Sequence, residues 1–385
     1  MTSEPSSSVR LAREEFPFLA DRVYLNTAAV GLGCRRLASA YKSFIDEWTA
    51  DGLDFVRAER ASDASRAAFA RIIGASPDDV ALIPAVSAAA GLVAAQFTGA
   101  AAGENLVIGA QEYSSNHFPW RQLAARGYDI RQVPFRGGGI DPDDLATRVD
   151  GGTRLIALSA VQTATGHRSD LAAVSAIASG VGAWVFVDGS QSVGALDMAA
   201  DLPGIDFLAA SDHKFLLNAA RGMGYLYVRQ SLREQILPLG AGWKAGAVPF
   251  ESFFGPRMEL SDTASRFDSS ISWLAAIGDE VCLSLLEQVG PSDIYAWNRT
   301  LAATLRQALA DASVSVLQLP AANQSHIVAV PLGGRNPAPV LARLRSSGII
   351  CSARDGNLRI SLHFYNNLAD IERLTTALAR CMKDV

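Results

Sequence analysis

Between Val80 and Val228 short β-rich runs alternate with helical segments, and this alternation restricts the chain to a parallel sheet covered by helices on both faces. The expected strands are VALI at 80, NLVIG at 105, DIRQVPF at 129, RLIALSAV at 154, AWVFVD at 183, IDFLAAS at 205 and GYLYV at 224. Helices open at DPDDL from 141 and at SDLAAVSAIA from 169, each behind a residue able to cap the first turn. The expected fold class is therefore α/β with a mostly parallel central sheet.

Beyond that region a loop-rich stretch, GAGWKAGAVPFESFFGPR, reads as a connector over the sheet edge, and a long amphipathic helix is expected from Ile271 to Val289. Strand signals at SVSVLQL, SHIVAVPL, GIICSA and LRISLHF, with helices near Ala338 to Ser346 and Ala369 to Met382, then predict a smaller α+β unit. A chain of 385 residues exceeds what one core comfortably serves. The expected division is an N-terminal arm over 1–23, a large α/β domain over 24–290 and a small C-terminal domain over 291–385.

Ligands of open parallel sheets sit beyond the carboxyl ends of the strands, so reactive residues are sought there. AWVFV runs into Asp188, and IDFLAAS runs into Asp212, His213 and Lys214. An amine beside an apolar segment, here FLL, is expected to have a depressed pKa and to be nucleophilic toward an aldehyde. An acid and an amine on one rim match the needs of pyridoxal phosphate, whose pyridine nitrogen requires an acid and whose aldehyde requires a lysine. VALIP followed by AVSAAAGLVAAQF gives a strand, a turn and a helix, and the amides of Val86, Ser87 and Ala88 at that helix start suit a phosphate dianion.

Other chemistries are poorly served. The net charge is −5 without a basic cluster, so no nucleic-acid partner is expected. The start MTSEPSSSVR lacks a signal-peptide core and no apolar run reaches spanning length, which predicts a cytoplasmic protein without a membrane partner. Four scattered cysteines and five histidines show no metal-ligand spacing, and no metal is expected.

VYLNTAAVGLG, VFVDGSQSVGA, SDHKFLLNAARGMGYLYV and LRISLHFYNNLADIERL, in this order, resemble the opening turn, cofactor-acid, lysine and carboxylate-binding segments of the class V aminotransferase family of fold-type I pyridoxal-phosphate enzymes. That family includes cysteine desulfurases, kynureninases, epimerase-like proteins and C–S lyases. The resemblance, from about Tyr24 onward, implies a homodimer with active sites near the subunit interface. It makes Lys214 the Schiff-base lysine, Asp188 the partner of the pyridine nitrogen and Gln191 a contact of the phenolic oxygen. Ser211 and His213 join Ser87 and the Val86 amide around the phosphate. Tyr113 occupies the place of the desulfurases' ring-stacking histidine. Arg359 receives the substrate carboxylate, for which a guanidinium fork is suited, and Asn26 and Ala29 approach it from the opening loop.

The sequence also departs from the family. Thr163 stands where desulfurases carry asparagine near the cofactor oxygen, which leaves Gln162 as a candidate substrate contact. Ser270 and Ile271 replace the glycine-threonine that reaches the neighbouring subunit's phosphate, so a hydroxyl from Ser269 or Ser270 is expected there. Cys351 lies in the apolar run GIIC, with no room for a mobile cysteine loop before LRIS, and is read as a buried, inert thiol. These features predict β-elimination or C–S bond cleavage on a cysteine-like amino acid or conjugate. Transamination, and decarboxylation or epimerisation, are the alternatives, and a non-catalytic cofactor-binding regulator is the alternative of another class. Trp243, Lys244, His117 and Arg354 are expected to line the side-chain pocket.

Overall fold

A computed structural model describes residues 4–255 and 259–383, so Pro256 and Arg257 of the expected connector lie outside the described residues. The strands are β1 (Val23–Tyr24), β2 (Val80–Ile83), β3 (Asn105–Gly109), β4 (Asp129–Val133), β5 (Thr153–Ser159), β6 (Trp184–Asp188), β7 (Phe207–Ser211), β8 (Gly224–Val228), β9 (Ile327–Pro331), β10 (Ile349–Ile350), β11 (Ser352–Arg354) and β12 (Asn357–Ser361). Strands β2 to β8 form one seven-stranded sheet in the order β2-β8-β7-β6-β5-β3-β4. β8 runs opposite to the other six strands, which are parallel to one another. All seven sequence-derived strands of this region are present. β2, β3, β7 and β8 are buried along their whole length, because helices cover both faces of the sheet.

The expected helix starts also hold. Asp141 caps Pro142–Ala146 and Asp170 caps Leu171–Ser179, each carboxylate accepting a backbone N–H of the first turn. The long helix begins at Trp273 rather than Ile271, since the Ser272 hydroxyl accepts from the Ala275 N–H and fixes the boundary there.

The C-terminal part departs from the sequence reading in two places. SVSVLQL forms no strand: Ser313 takes a left-handed φ of 57°, Pro320 ends the run, and of its amides only Leu317 bonds β9, at the Ala329 carbonyl. GIICSA is divided. β10 pairs in parallel with β1, whereas β11 joins β12 and β9 in a three-stranded antiparallel sheet, with Cys351 at the switch. β11 and β12 are joined by the two residues Asp355 and Gly356, whose φ values of 46° and 74° are those of a tight hairpin turn.

Candidate active site

The site grows out of the register of three strands. Ser159 of β5 pairs with Asp188 of β6, and Asp188 pairs with Ala209 of β7, so the carboxyl ends of these strands share one rim. β7 ends at Ser211 and the chain continues through Asp212 and His213 to Lys214. Lys214, Asp188, His213, Ser211, Tyr113 and Val86 line one cleft. The Lys214 ammonium nitrogen lies 5.3 Å from the centre of the Tyr113 ring.

Two supports hold the lysine loop. The Gly31 N–H donates to the His213 carbonyl at 2.8 Å, and a Cβ at Gly31 would stand 2.6 Å from the Lys214 carbonyl oxygen, so only glycine lets the opening loop come this close. On the other side the Asn218 amide nitrogen donates to the Ala275 carbonyl at 2.7 Å and to Asp279 at 2.8 Å, while the Tyr225 hydroxyl donates to Asp279 at 2.6 Å. The long helix is thereby tied to the loop that carries the amine.

Electrostatics favour a neutral amine. Burial pushes the Lys214 pKa down to about 8; Asp188 opposes the shift, and the positive charges of Arg359, Arg221 and Arg354 add to it. At pH 7 about one such amine in ten is neutral, against about one in three thousand for an ordinary lysine. His213 is pushed down to about 4, first by burial and then by Lys214, and stays an uncharged ring beside Asp212.

Arg359 is 1 % exposed. Its fork donates to the Thr163 hydroxyl at 2.8 Å and carbonyl at 3.1 Å, and to the Ser352 hydroxyl at 3.1 and 3.2 Å. These partners are neutral, and no carboxylate pairs with Arg359 among the described residues; burial, and then Arg354, lower its pKa to about 10. A buried cation held by neutral groups is suited to an anionic ligand. Asn26 stands beside it: its backbone bridges to Ser361, two residues beyond Arg359, and its side-chain oxygen is buried without a partner. Ala29 donates its N–H to the Asn26 carbonyl at 2.9 Å and completes that turn.

The residues present fit pyridoxal phosphate. Besides the amine and the Asp188 carboxylate, the helix Val86–Ala94 opens on the cleft with alanine as its cap, so no side chain satisfies its first amides. Ala88 differs from the sequence reading, because its N–H is turned to the Ala85 carbonyl at 3.0 Å; Val86 and Ser87 keep theirs. Gln191 donates to the Ala28 carbonyl at 3.1 Å and the Thr163 hydroxyl at 2.9 Å, which leaves its own buried carbonyl oxygen unpartnered.

Several expected positions lie elsewhere. Gln162 is buried, lies outside this cleft and donates one of its two amide N–H groups to Glu112 at 2.7 Å. The Ser87 side chain and Ser270 are exposed and do not line this cleft. Lys244 is buried 2.6 Å from Glu59, whose other oxygen accepts from the Trp273 indole, so it is a structural cation. Trp243 packs on Phe253 at 5.0 Å, and the His117 ring bonds the Gly109 carbonyl; neither lines the cleft. Arg354 is exposed and reaches the site through its charge.

The structure adds two residues. Glu112, behind Tyr113, accepts from the Ser159 N–H at 2.9 Å and bonds its hydroxyl, and burial raises it to about 7. Arg221 lines the cleft in a left-handed conformation with φ of 61°. No sequence signal marks either role, since one depends on a contact 47 residues away and the other on a backbone angle.

The sequence model of the aminotransferase class-V family matches residues 23–374. An uncharacterized aminotransferase, YcbU of Bacillus subtilis, is 26% identical over 373 residues, covering 95% of this chain and 96% of the relative. A cysteine desulfurase of Dickeya dadantii is 31% identical over 350 residues, covering 84% and 82%. Among solved structures, the cystine C–S lyase C-DES in complex with its reaction product cysteine persulfide superposes with a TM-score of 0.83 at 21% identity, over 94% of this chain and 99% of that one. A variant of C-DES with glycine linked to its pyridoxal phosphate gives 0.84 at 21% identity, over 95% and 98%. The chain belongs to the class V aminotransferase family and is a pyridoxal-phosphate-dependent enzyme.

Proposed function

We propose that this enzyme cleaves the C–S bond of a cysteine-like amino acid or conjugate by β-elimination, with no sulfur passed to the protein. The reading of an amino-acid substrate is carried by Arg359, a buried guanidinium with neutral partners only, near enough to Lys214 to lower its pKa. The choice of C–S cleavage is supported by the similarity to a cystine C–S lyase and to cysteine desulfurases. Elimination without a protein persulfide is supported by the two-residue turn between β11 and β12 and by the state of Cys351. Its thiol is pushed up to about 12 by burial, so the nucleophilic thiolate is scarce at neutral pH.

When bound, pyridoxal phosphate supplies an aldehyde for the substrate amine and a protonated ring that accepts electron density from Cα. In the proposed assignment Asp188 holds the proton on the ring nitrogen. The amides of Val86 and Ser87, with Ser211 and His213, hold the phosphate, and Tyr113 covers the ring face. Arg359, flanked by Asn26 and Ala29, fixes the carboxylate and so orients the Cα–H bond. Lys214 Nζ, neutral in an appreciable fraction at pH 7, removes the Cα proton. Thr163 links Gln191 to Arg359, accepting a hydrogen bond from each, and so couples the cofactor end to the carboxylate end.

A homodimer is part of this reading. Phe55, Phe250 and Phe253 form a connected exposed patch with ring centres about 6 Å apart, and Phe254 beside it is 92% exposed, an apolar surface of the kind that marks protein–protein contacts. In that homodimer the exposed Ser270 is proposed to serve the partner's phosphate. Four unpaired cysteines support the cytoplasm as the compartment.

The test is product analysis. The holoenzyme is expected to release pyruvate, and sulfide or a persulfide, from cystine, cysteine or cysteine conjugates; a keto acid formed with conversion of the cofactor to its amine form would identify a transaminase instead. Arg359→Lys is expected to raise KM by about ten- to a hundredfold, since losing the bidentate charged hydrogen bond costs about 1.5–3 kcal/mol. An unchanged KM would remove Arg359 from the substrate site. Cys351→Ala is expected to keep turnover within about twofold and to cost at most a small packing loss. Abolished turnover, or substrate sulfur found on Cys351 by mass spectrometry, would make the enzyme a desulfurase.

A further inference from the structure

We propose that a second cavity, sharing no residue with the active-site cleft, binds a small monocarboxylate. It lies between the helix Pro291–Asp311 and the turn that leads into β9, and has a volume of about 260 Å³. Clefts for drug-sized ligands run from about 300 to 1,000 Å³, so this one suits a molecule of few heavy atoms.

Charge, apolar wall and an unsatisfied polar group meet there. Tyr295 lies between two guanidiniums, with Arg168 at 5.8 Å and Arg299 at 5.9 Å from its ring centre. Arg168 is already engaged, with Asp201 at 3.3 Å and the Tyr295 hydroxyl at 3.1 Å. Arg299 has no carboxylate partner among the described residues, which leaves its fork for a ligand. Ala302 and Ala322 give a shallow apolar wall that accepts a short carbon chain. His326 lines the same cavity at 1% exposure. One ring nitrogen approaches the Gln191 backbone, yet neither makes a hydrogen bond of normal geometry. The Phe215 ring packs perpendicular to it with centres 4.5 Å apart, and burial keeps the imidazole neutral, with a pKa pushed down to about 3. A neutral imidazole carries one donor and one acceptor nitrogen, and leaving both unmatched inside the protein is unfavourable. A bound carboxylate would give Arg299 its counter-charge and would give His326 an acceptor in the tautomer whose N–H faces the cavity rather than Gln191.

The inference does not depend on which reaction the cleft performs. The probe is butyrate, which has no amine, ketone or aldehyde to react with the cofactor. Purified holoenzyme is titrated with sodium butyrate by calorimetry and by NMR of the histidine rings. The expected result is a saturable site whose occupancy moves the His326 ring resonances and which persists in Arg359→Lys. Arg299→Glu and Ala303→Trp alter exposed positions, one reversing the charge and the other filling the cavity from outside. Each is expected to weaken butyrate by at least about tenfold, or about 1.4 kcal/mol, with kcat/KM unchanged. No saturable binding, or binding lost in Arg359→Lys and kept in both cavity variants, would overturn the proposal.

Discussion

Lys214→Ala is expected to lower turnover by about 10²- to 10⁴-fold, the range that a positioned proton-transfer group contributes, while leaving the protein folded. The amine makes no hydrogen bond among the described residues, and its contacts are the Tyr113 ring and long-range charges. Removing a cation that burial already disfavours therefore leaves stability unchanged or slightly raised. Lys214→Arg is expected to fail as well, because a guanidinium stays charged and cannot accept the Cα proton. Melting of the apo-protein and single-turnover kinetics separate the two effects. A variant that unfolds, or that turns over within tenfold of the parent, would contradict the role given to Lys214.

Asp188→Asn is expected to keep its cofactor and lose about 100-fold in turnover. The local structure survives, since the asparagine carbonyl still accepts the Ser190 N–H that the carboxylate accepts at 2.8 Å. What disappears is the negative charge that the proposed assignment sets against the ring nitrogen. A hydrogen bond to a charged group contributes up to about 3 kcal/mol, close to two powers of ten in rate. Cofactor retention by absorbance, set beside kcat, distinguishes loss of the charge from loss of the site. A near-normal kcat in the loaded variant would remove Asp188 from the chemistry.

That Lys214 and Asp188 share one rim is legible in the sequence from their position. Each closes or follows an apolar strand, and strand ends of a parallel sheet converge on one rim whatever the loops do. The central sheet was legible for the same reason, because short apolar runs bounded by turn residues are a local property of the chain. SVSVLQL carries the same local signal and fails as a strand, since the left-handed Ser313 and the nearby Pro320 leave it a single bond to β9. The helix Arg35–Asp51 buries Leu37 and Phe44, too thin an apolar stripe to mark it in the sequence.

The side-chain pocket was least legible. Lys244 and Lys214 both stand among apolar residues, and only the Glu59 carboxylate, 185 positions from Lys244, shows that the first is a structural cation. Gln162 likewise looks available in the sequence, yet it is buried against Glu112, 50 residues away. Both outcomes depend on tertiary partners that no local spacing encodes.

In the proposed enzyme Lys214, and no other lysine, carries the cofactor. Borohydride treatment of the holoenzyme followed by proteolysis and mass spectrometry of the peptides tests it most directly. A single reduced pyridoxyl adduct is expected within the segment SDHKFLLNAAR, at Lys214. An adduct on Lys244, or a cofactor that washes off unreduced, would contradict it.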